Sequence, residues 1–346
     1  MQRLEANPLL TPEDLKPTDD SLTVMCTLNP AAVKFNDEYL LMVRVGEKAP
    51  EDTDHLHYIR YNAKTDKVIV EGIRKKDPNL ELSDTRGYFF NGQMLLTTMS
   101  HLRIARSRDG VHFSFDPQPA IFPSRSYEAF GCEDPRITLL EGKYWITYTA
   151  VSEQGVMVAL ASTEDFKTYD KHGIIFPPYQ KDVCLFPEKV RGMFVCRHRP
   201  YKSEFNPASI WTAYSPDLFC WGHHAQTLRP TPGTWEGERV GCGAPPLRTD
   251  SGWLEVYHAA DSHGRYCLGA MLSDLEHPER VLSRGTVPVL EPEAHYELEG
   301  MFDKTVFSNG LIVEDDGGLI VYYGAADRIC AAALTTVDQM VEAAQS

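Results

Sequence analysis

The tetrad Glu133-Asp134-Pro135-Arg136 sets two carboxylates beside a guanidinium at the start of an apolar segment. A second acid raises the proton affinity of a carboxyl group and an arginine lowers it, so such a group takes or gives a proton according to which neighbour dominates. A second cluster is cationic: Lys181 heads one segment, Arg197-His198-Arg199 lies in the next, and Arg44, Arg60 and His258 stand in other apolar segments. Guanidinium forks and a lysine point charge suit an oxyanion. Side chains alternate along a strand, so Arg197 and Arg199 share one face and His198 takes the other. Taken singly, each residue also has a plain structural reading. Asp-Pro-Arg closes a turn because proline fixes φ, and an arginine beside an acid makes an ion pair.

What positions these residues is a recurring unit. Apolar strands read as EYLLMVRV (38–45), GQMLLTTM (92–99), GKYWITYT (from 142), GMFVCRHR (192–199), GWLEVYHA (252–259) and GLIVYYGA (318–325). Each is preceded by a turn and a polar motif: LNPAAV, LSDTRGYFF, CEDPRITLL, KDVCLFPEKV, GAPPLRT and DKTVFSNGL. The second and third units, SDTRGYFFNGQMLLTT and EDPRITLLEGKYWITYT, align as a duplicated unit. ARSRDGVHFS, LASTEDFKTYD, AYSPDLFCW and AMLSDLEHP add a Ser/Thr-x-Asp type of turn whose side chains can bond nearby backbone, followed by an apolar anchor. Helical periodicity is nearly absent before TTVDQMVEAAQS at the end. This pattern predicts an all-β chain and a β-propeller of five or six blades, with a β-sandwich as the competing architecture. In a propeller the innermost strand of each blade lines the axis, so motifs remote in sequence converge on one funnel.

The 346 residues are 42% hydrophobic and 24% charged, as in a globular protein. A formal charge of −15 disfavours nucleic acid and anionic membranes as partners. No apolar run approaches the ~18 residues of a membrane span. The N-terminal stretch MQRLEANPLLTPEDLKPTDD lacks the apolar core of a secretory signal, which suggests a cytoplasmic protein. Eight cysteines without a CxxC pair argue against a zinc site or a disulfide framework. The expectation is one domain over 1–346, with an N-terminal extension of about 20 residues and a C-terminal helix over 335–346.

In family order, LNPAAVKFNDEYLLMVRV, GCEDPRIT with YWITYTA, KDVCLFPEKVRGMFVCRHRP, GCGAPPLRTDSGWLEVYHAA, VLEPEAHYELEG and VYYGAAD resemble glycoside hydrolase family 130, the β-mannoside phosphorylases and β-mannosidases. The resemblance covers roughly residues 7 to 330. It implies a five-bladed propeller with its active site in the axial funnel and no metal or other cofactor. FDKTVF departs from an Asn often found there in the family, so Asp303 and Lys304 are left out of the site.

The resemblance also implies a chemistry. Inverting cleavage of a glycosidic bond needs a general acid on the leaving oxygen and a nucleophile on the opposite face of the sugar. Asp134 holds the family's acid position, and family members pass its proton through the 3-hydroxyl of mannose. A phosphorylase uses inorganic phosphate, so a cationic cradle takes the place of a base: Lys181, Arg197, His198, Arg199, Arg60 and His258. For the sugar, Asn29, Arg44, Asp84, Glu133, Asp182, Tyr257 and Asp327 are expected. Tyr127, Trp211 and Trp235 are further aromatics, suited to stacking or to packing. The expected activity is phosphorolysis of β-mannosides to α-mannose 1-phosphate. Hydrolysis on the same scaffold, with Glu188, Glu236 or Glu299 as base, is the runner-up, and a non-catalytic interaction scaffold comes third. Manno-oligosaccharide and phosphate are the expected partners, and assembly into a homo-oligomer is compatible with the sequence.

Overall fold

The computed structural model describes residues 1–82 and 87–346. The chain is all-β, and four-stranded antiparallel sheets succeed one another along it. The first sheet holds Thr23–Phe35, Glu38–Lys48, Met99–Ser107 and Ser114–Phe115; the second holds Gly131–Leu140, Lys143–Ser152, Gly155–Thr163 and Asp170–Phe176. A single parallel pair, Gly131 with Ser100, joins these two. The third comprises Gln180–Leu185, Phe194–Pro200, Ile210–Ser215 and Gly222–Leu228. The fourth comprises Arg239–Cys242, Gly252–Ala260, Tyr266–Ser273 and Val281–Arg284, with the short strand Leu247–Thr249 beside its second strand. The fifth runs Val306–Val313, Gly318–Ala325, Ile329–Thr336, and its edge strand is Gln2–Arg3 from the other end of the chain.

Local chemistry explains the repeat. The turn into the second strand is a two-residue one with φ > 0 at both positions, Glu141-Gly142 and Arg191-Gly192, the geometry whose twist matches flanking strands. After the third strand an aspartate closes the chain on itself. Asp109, Asp165, Asp217 and Asp274 each accept two backbone N–H bonds through Oδ1 from residues two and three ahead, at 2.8–2.9 Å. The Ser/Thr-x-Asp reading of these segments therefore holds.

Each sheet shares an apolar core with the next. Met42 and Ile104 of the first pack with Ile137 and Tyr148 of the second. Val158 and Leu160 meet Val183 and Leu185. Ile210 meets Val240 and Met271, and Leu254 and Leu268 meet Val306 and Val321. Val43 and Ala105 of the first sheet pack with Ile312 and Tyr322 of the fifth. The strands are apolar on both faces because both faces are covered. The C-terminal helix Val337–Gln345 seats Met340 and Ala344 in the last of these cores but one, beside the fourth and fifth sheets. All eight cysteines are free, and seven of them are buried.

One expectation needs correction. The unit beginning SDTRGYFF does not form a sheet like the others. Within the described residues it contributes Leu80–Leu82, Gly87–Phe90 and Gln93–Leu96, a small sheet inserted, with the hairpin His55–Asn62/Lys67–Arg74, between the second and third strands of the first sheet. Its strands of three or four residues are too short to bury two faces, and Phe89 stays exposed.

A second repeat escaped the sequence reading. Tyr148, Tyr257 and Tyr323, on the second strands of three sheets, each donate their hydroxyl to a buried glutamate, Glu128, Glu236 and Glu297, at 2.7–2.8 Å. Each glutamate lies in the loop before its sheet, directly after an aromatic residue (Tyr127, Trp235, Tyr296), and each is paired with a cation: Lys171, Arg284 and Arg3. These loops are thereby tied to the sheets they precede.

Candidate active site

The first strands of the sheets share a device. Asn29, Asp134 and Asp182 sit at register shifts, each with left-handed φ of 49°, 48° and 55°. A bulge re-aims the side chain of the extra residue out of the strand's alternation. Asn29 Nδ2 donates to Asp134 Oδ1 at 2.8 Å. Gly324 allows this, since a Cβ there would lie 2.2 Å from Asn29 Oδ1.

Asp134 opens onto a cavity of about 740 Å³. Its Oδ1 accepts from Asn29 and from Arg44 Nη1 at 3.1 Å. Its Oδ2 accepts no hydrogen bond among the described residues, and Lys181 Nζ lies 3.7 Å from it. Arg44 is held on three sides, by Asp134, by Glu133 at 2.8 Å and by Ser100 at 3.1 Å. Burial alone would raise the pKa of Asp134, but Arg44, Lys181 and Arg136 outweigh it and bring it to about 2. Burial likewise opposes the charge on Lys181, and Asp134 and Asp182 reverse that effect and raise its pKa.

Beneath the cavity floor Arg136 joins three first strands. It donates to Asp134 O (3.0 Å), Cys242 O (2.9 Å) and Gly243 O (3.3 Å), and pairs with Asp182 at 3.2 Å. Asp182, wholly buried, also accepts from Arg199 Nε at 2.6 Å and lies 3.3 Å from His258 Nε2. Burial would raise the pKa of Asp182, yet Arg199 and Arg136 hold it well down. His258 is lowered to about 4, by burial first and then by Arg199 and Arg136 against the pull of Asp182, so it is neutral at pH 7. Gly241 makes room for the pair, because a Cβ there would meet His258 Nε2 at 2.2 Å.

Of the residues expected in the site, Asn29, Arg44, Glu133, Asp134, Lys181 and Asp327 line the cavity. Asp84 lies outside the described residues. The others stand elsewhere. Arg197 is buried between the third and fourth sheets, with Nε on Glu255 at 2.8 Å and Nη2 on Ser273 at 2.9 Å. It does share a face with Arg199, but two residues advance a strand by roughly 7 Å, which carries Arg197 out of the site. His198, on the opposite face, stacks on Phe176 and lies 3.0 Å from both Gln180 Oε1 and His224 Nδ1. Arg60 bonds Glu71 across the inserted hairpin at 2.7 Å. Arg199, Asp182 and His258 form the layer behind the floor, and Tyr257 is committed to Glu236. None of the proposed bases Glu188, Glu236 and Glu299 lines the cavity, and neither do Tyr127, Trp211 and Trp235.

Several lining residues were not foreseen. Arg239, at the head of the fourth sheet's first strand, reaches the cavity with Nη1 donating to Tyr266 Oη at 3.1 Å. Its position at a unit head, like that of Lys181, is the signal that could have found it. Tyr179 and Tyr201, with ring centroids 5.6 Å apart and both rings exposed, flank the mouth. Phe302 and Phe307 on one side and Met94 of the inserted sheet on another complete an apolar wall.

Known proteins resemble this chain over most of its length. A family model, Glyco_hydro_130, described as beta-1,4-mannooligosaccharide phosphorylase, matches residues 86–346. A beta-1,2-mannobiose phosphorylase of Listeria innocua is 42% identical over 94% of this chain and 93% of its own. A 1,2-beta-oligomannan phosphorylase of a Thermoanaerobacter species is 40% identical over 68% of this chain and 78% of its own. The solved beta-1,2-mannobiose phosphorylase from Listeria innocua, in complex with beta-1,2-mannobiose, superposes with a TM-score of 0.95 at 39% identity, covering 99% of this chain and 98% of that one.

Proposed function

The chain belongs to glycoside hydrolase family 130, and on that premise we propose that it is an inverting β-mannoside phosphorylase acting on β-1,2-linked manno-oligosaccharides. The single observation that carries phosphorolysis is the charge of the cavity. Lys181 and Arg239 line it with N–H donors that no hydrogen bond among the described residues uses, apart from the Arg239 bond to Tyr266. Glu188, Glu236 and Glu299, the residues considered as a hydrolase's base, all lie outside it, and the first two are engaged by Arg248 and Tyr257. The 1,2-linkage rests on the names of the two relatives at 42% and 40% identity.

In this reading the mannosyl unit lies against Asn29, Arg44, Glu133 and Asp327. Oδ2 of Asp134 carries the proton destined for the leaving oxygen, since Oδ1 is already doubly occupied. Lys181 and Arg239 hold phosphate on the opposite face of the sugar, where an anion that is already nucleophilic needs no base. The second sugar faces Tyr179, Tyr201 and Met94. We read the five sheets as blades of a single propeller with this cavity on its axis. The shared core between each sheet and the next, and between the fifth and the first, supports that reading. The free thiols fit a reducing cytoplasm.

The test is to incubate the protein with β-1,2-mannobiose, and separately with β-1,4-mannobiose, with and without phosphate. Mannose 1-phosphate should form from the 1,2-linked sugar only when phosphate is present. Free mannose released at equal rates with and without phosphate would overturn the phosphorylase reading.

A further inference from the structure

Resting on the phosphorylase reading, we propose that Lys181 is a shared cation: in the unloaded cavity it holds the Asp134 carboxylate, and on entry of phosphate it turns to the anion and leaves Oδ2 free to take up its proton. A general acid must be protonated when the leaving group departs. The side chains around Asp134 are set against that state. Facing Asp134 are Arg44 from the second strand of the first sheet, Lys181 from the first strand of the third, and Arg136 on its own strand. The acids Glu133 and Asp327 line the same cavity, Asp182 lies behind Lys181, and the Cys26 thiol stands beside Arg44.

Of the three cations only Lys181 is able to leave. Arg44 is locked by Ser100, Glu133 and Asp134, and Arg136 by three carbonyls and Asp182. The Lys181 ammonium makes no hydrogen bond among the described residues, its side chain is 21% exposed, and its distance of 3.7 Å from Oδ2 is an ion pair without a hydrogen bond. Its stem is flexible and its charge compact. At an effective dielectric of about 20, withdrawing a cation from that distance raises the proton affinity of a carboxylate on the order of a thousandfold. The negative charge of the bound phosphate adds to this.

The step balances. One solvent proton loads Oδ2 as phosphate binds and passes to the leaving oxygen as the C1–O bond breaks. A phosphate oxygen forms the new C1–O bond, and the proton of hydrogen phosphate returns to solvent. Phosphate binding thus arms the acid, so the sugar bond is not strained toward cleavage in a cavity that lacks its nucleophile.

The experiment is calorimetric titration of the whole protein with inorganic phosphate at pH 6, in two buffers of different ionisation heat, which counts the protons taken up. Wild type should take up more protons per phosphate than Asp134→Asn, the excess being a measurable fraction of one that grows as the pH is lowered. Lys181→Met should bind phosphate at least tenfold more weakly and show no excess over the same substitution combined with Asp134→Asn. Equal proton uptake by wild type and Asp134→Asn, with phosphate bound to both, overturns the inference and leaves the phosphorylase reading standing. Undiminished phosphate binding by Lys181→Met also overturns it. Absence of phosphate binding in every variant removes the phosphorylase reading and this inference together.

Discussion

Asn29 donates a 2.8 Å hydrogen bond to Asp134 from 105 positions earlier in the chain, and both residues hold left-handed backbone at a bulge of their strands. The contact fixes which oxygen of the acid is occupied. It also shows that the site is made where first strands of different sheets meet, since neither residue reaches the other through local sequence.

Asp134→Asn keeps the size of the side chain and its acceptor toward Asn29 and Arg44, and removes the transferable proton. Phosphorolysis should fall by about 10²–10⁴ in kcat, measured as mannose 1-phosphate release, while phosphate still binds.

The two arginines that sequence and structure rank differently can be separated. Arg197→Met strands the buried Glu255 carboxylate and should cost about 3–5 kcal/mol in denaturant unfolding, with the KM for phosphate of the remaining folded enzyme unchanged. Arg239→Ala, at an exposed position, should shift stability by no more than about 0.5–1 kcal/mol and raise the KM for phosphate severalfold. The reverse pattern would return Arg197 to the site.

Stability should fall as the solution is acidified below pH 6.5. His258, lowered to about 4 by burial and by Arg199 and Arg136, binds fewer protons when folded than when unfolded between those values. Its contribution is complete above pH 6.5 and is lost as pH drops through the window, on the order of 3 kcal/mol. His198, lowered to about 3 by burial and by His224, acts in the same direction. Asp134 extends the loss below its ordinary 3.8 toward about 2. Chemical unfolding at pH 7 and pH 4.5 checks the sign, and an unchanged midpoint would refute it.

Tyr323→Phe deletes one bond to the buried Glu297, which keeps Arg3 and the backbone N–H groups of Glu293 and Ala294. The expected cost is about 1–2 kcal/mol in thermal or chemical unfolding, with kcat unchanged, because the trio lies away from the cavity.

Tyr179→Ala should raise the KM for the disaccharide about fivefold, the loss of about 1 kcal/mol of ring contact, and leave the KM for phosphate alone. Equal changes in both constants would mean that the ring shapes the whole mouth and is not part of one subsite.

What the sequence disclosed was the composition of each unit. Asp134, Lys181 and Asn29, which line the cavity, stand at the heads of units that converge on one axis, and the family resemblance added Arg44 and the role of Asp134. The aspartate turns were found because their bonds are local. Depth along a strand was not legible: alternation assigned Arg197 and Arg199 to one face, but whether a face meets cavity or neighbouring sheet depends on packing between sheets. Arg60 was misplaced because nothing in the apolar alternation of its hairpin distinguishes an insertion from a sheet strand. The Tyr–Glu ties were missed because glutamates in polar loops read as solvated until the tyrosine opposite them is known. Asp182 looked like Asp134 in sequence, and only the arrival of Arg136, Arg199 and His258 turned it into a buried anchor.

The edge of the fifth sheet is Gln2–Arg3, paired with Leu334 and Ala333, and Arg3 reaches Glu297 as well. Closing a contact over more than three hundred residues carries a large entropic cost and comes late. On a ribosome Gln2–Arg3 wait for Ala333 and Leu334, made more than three hundred residues later, so the earlier sheets can settle in turn while the fifth stays open at its edge. Completion of the fifth sheet is thus deferred until Ala333 and Leu334 have emerged, and the nascent chain carries an unpaired strand edge for that interval, when chaperone protection would matter most.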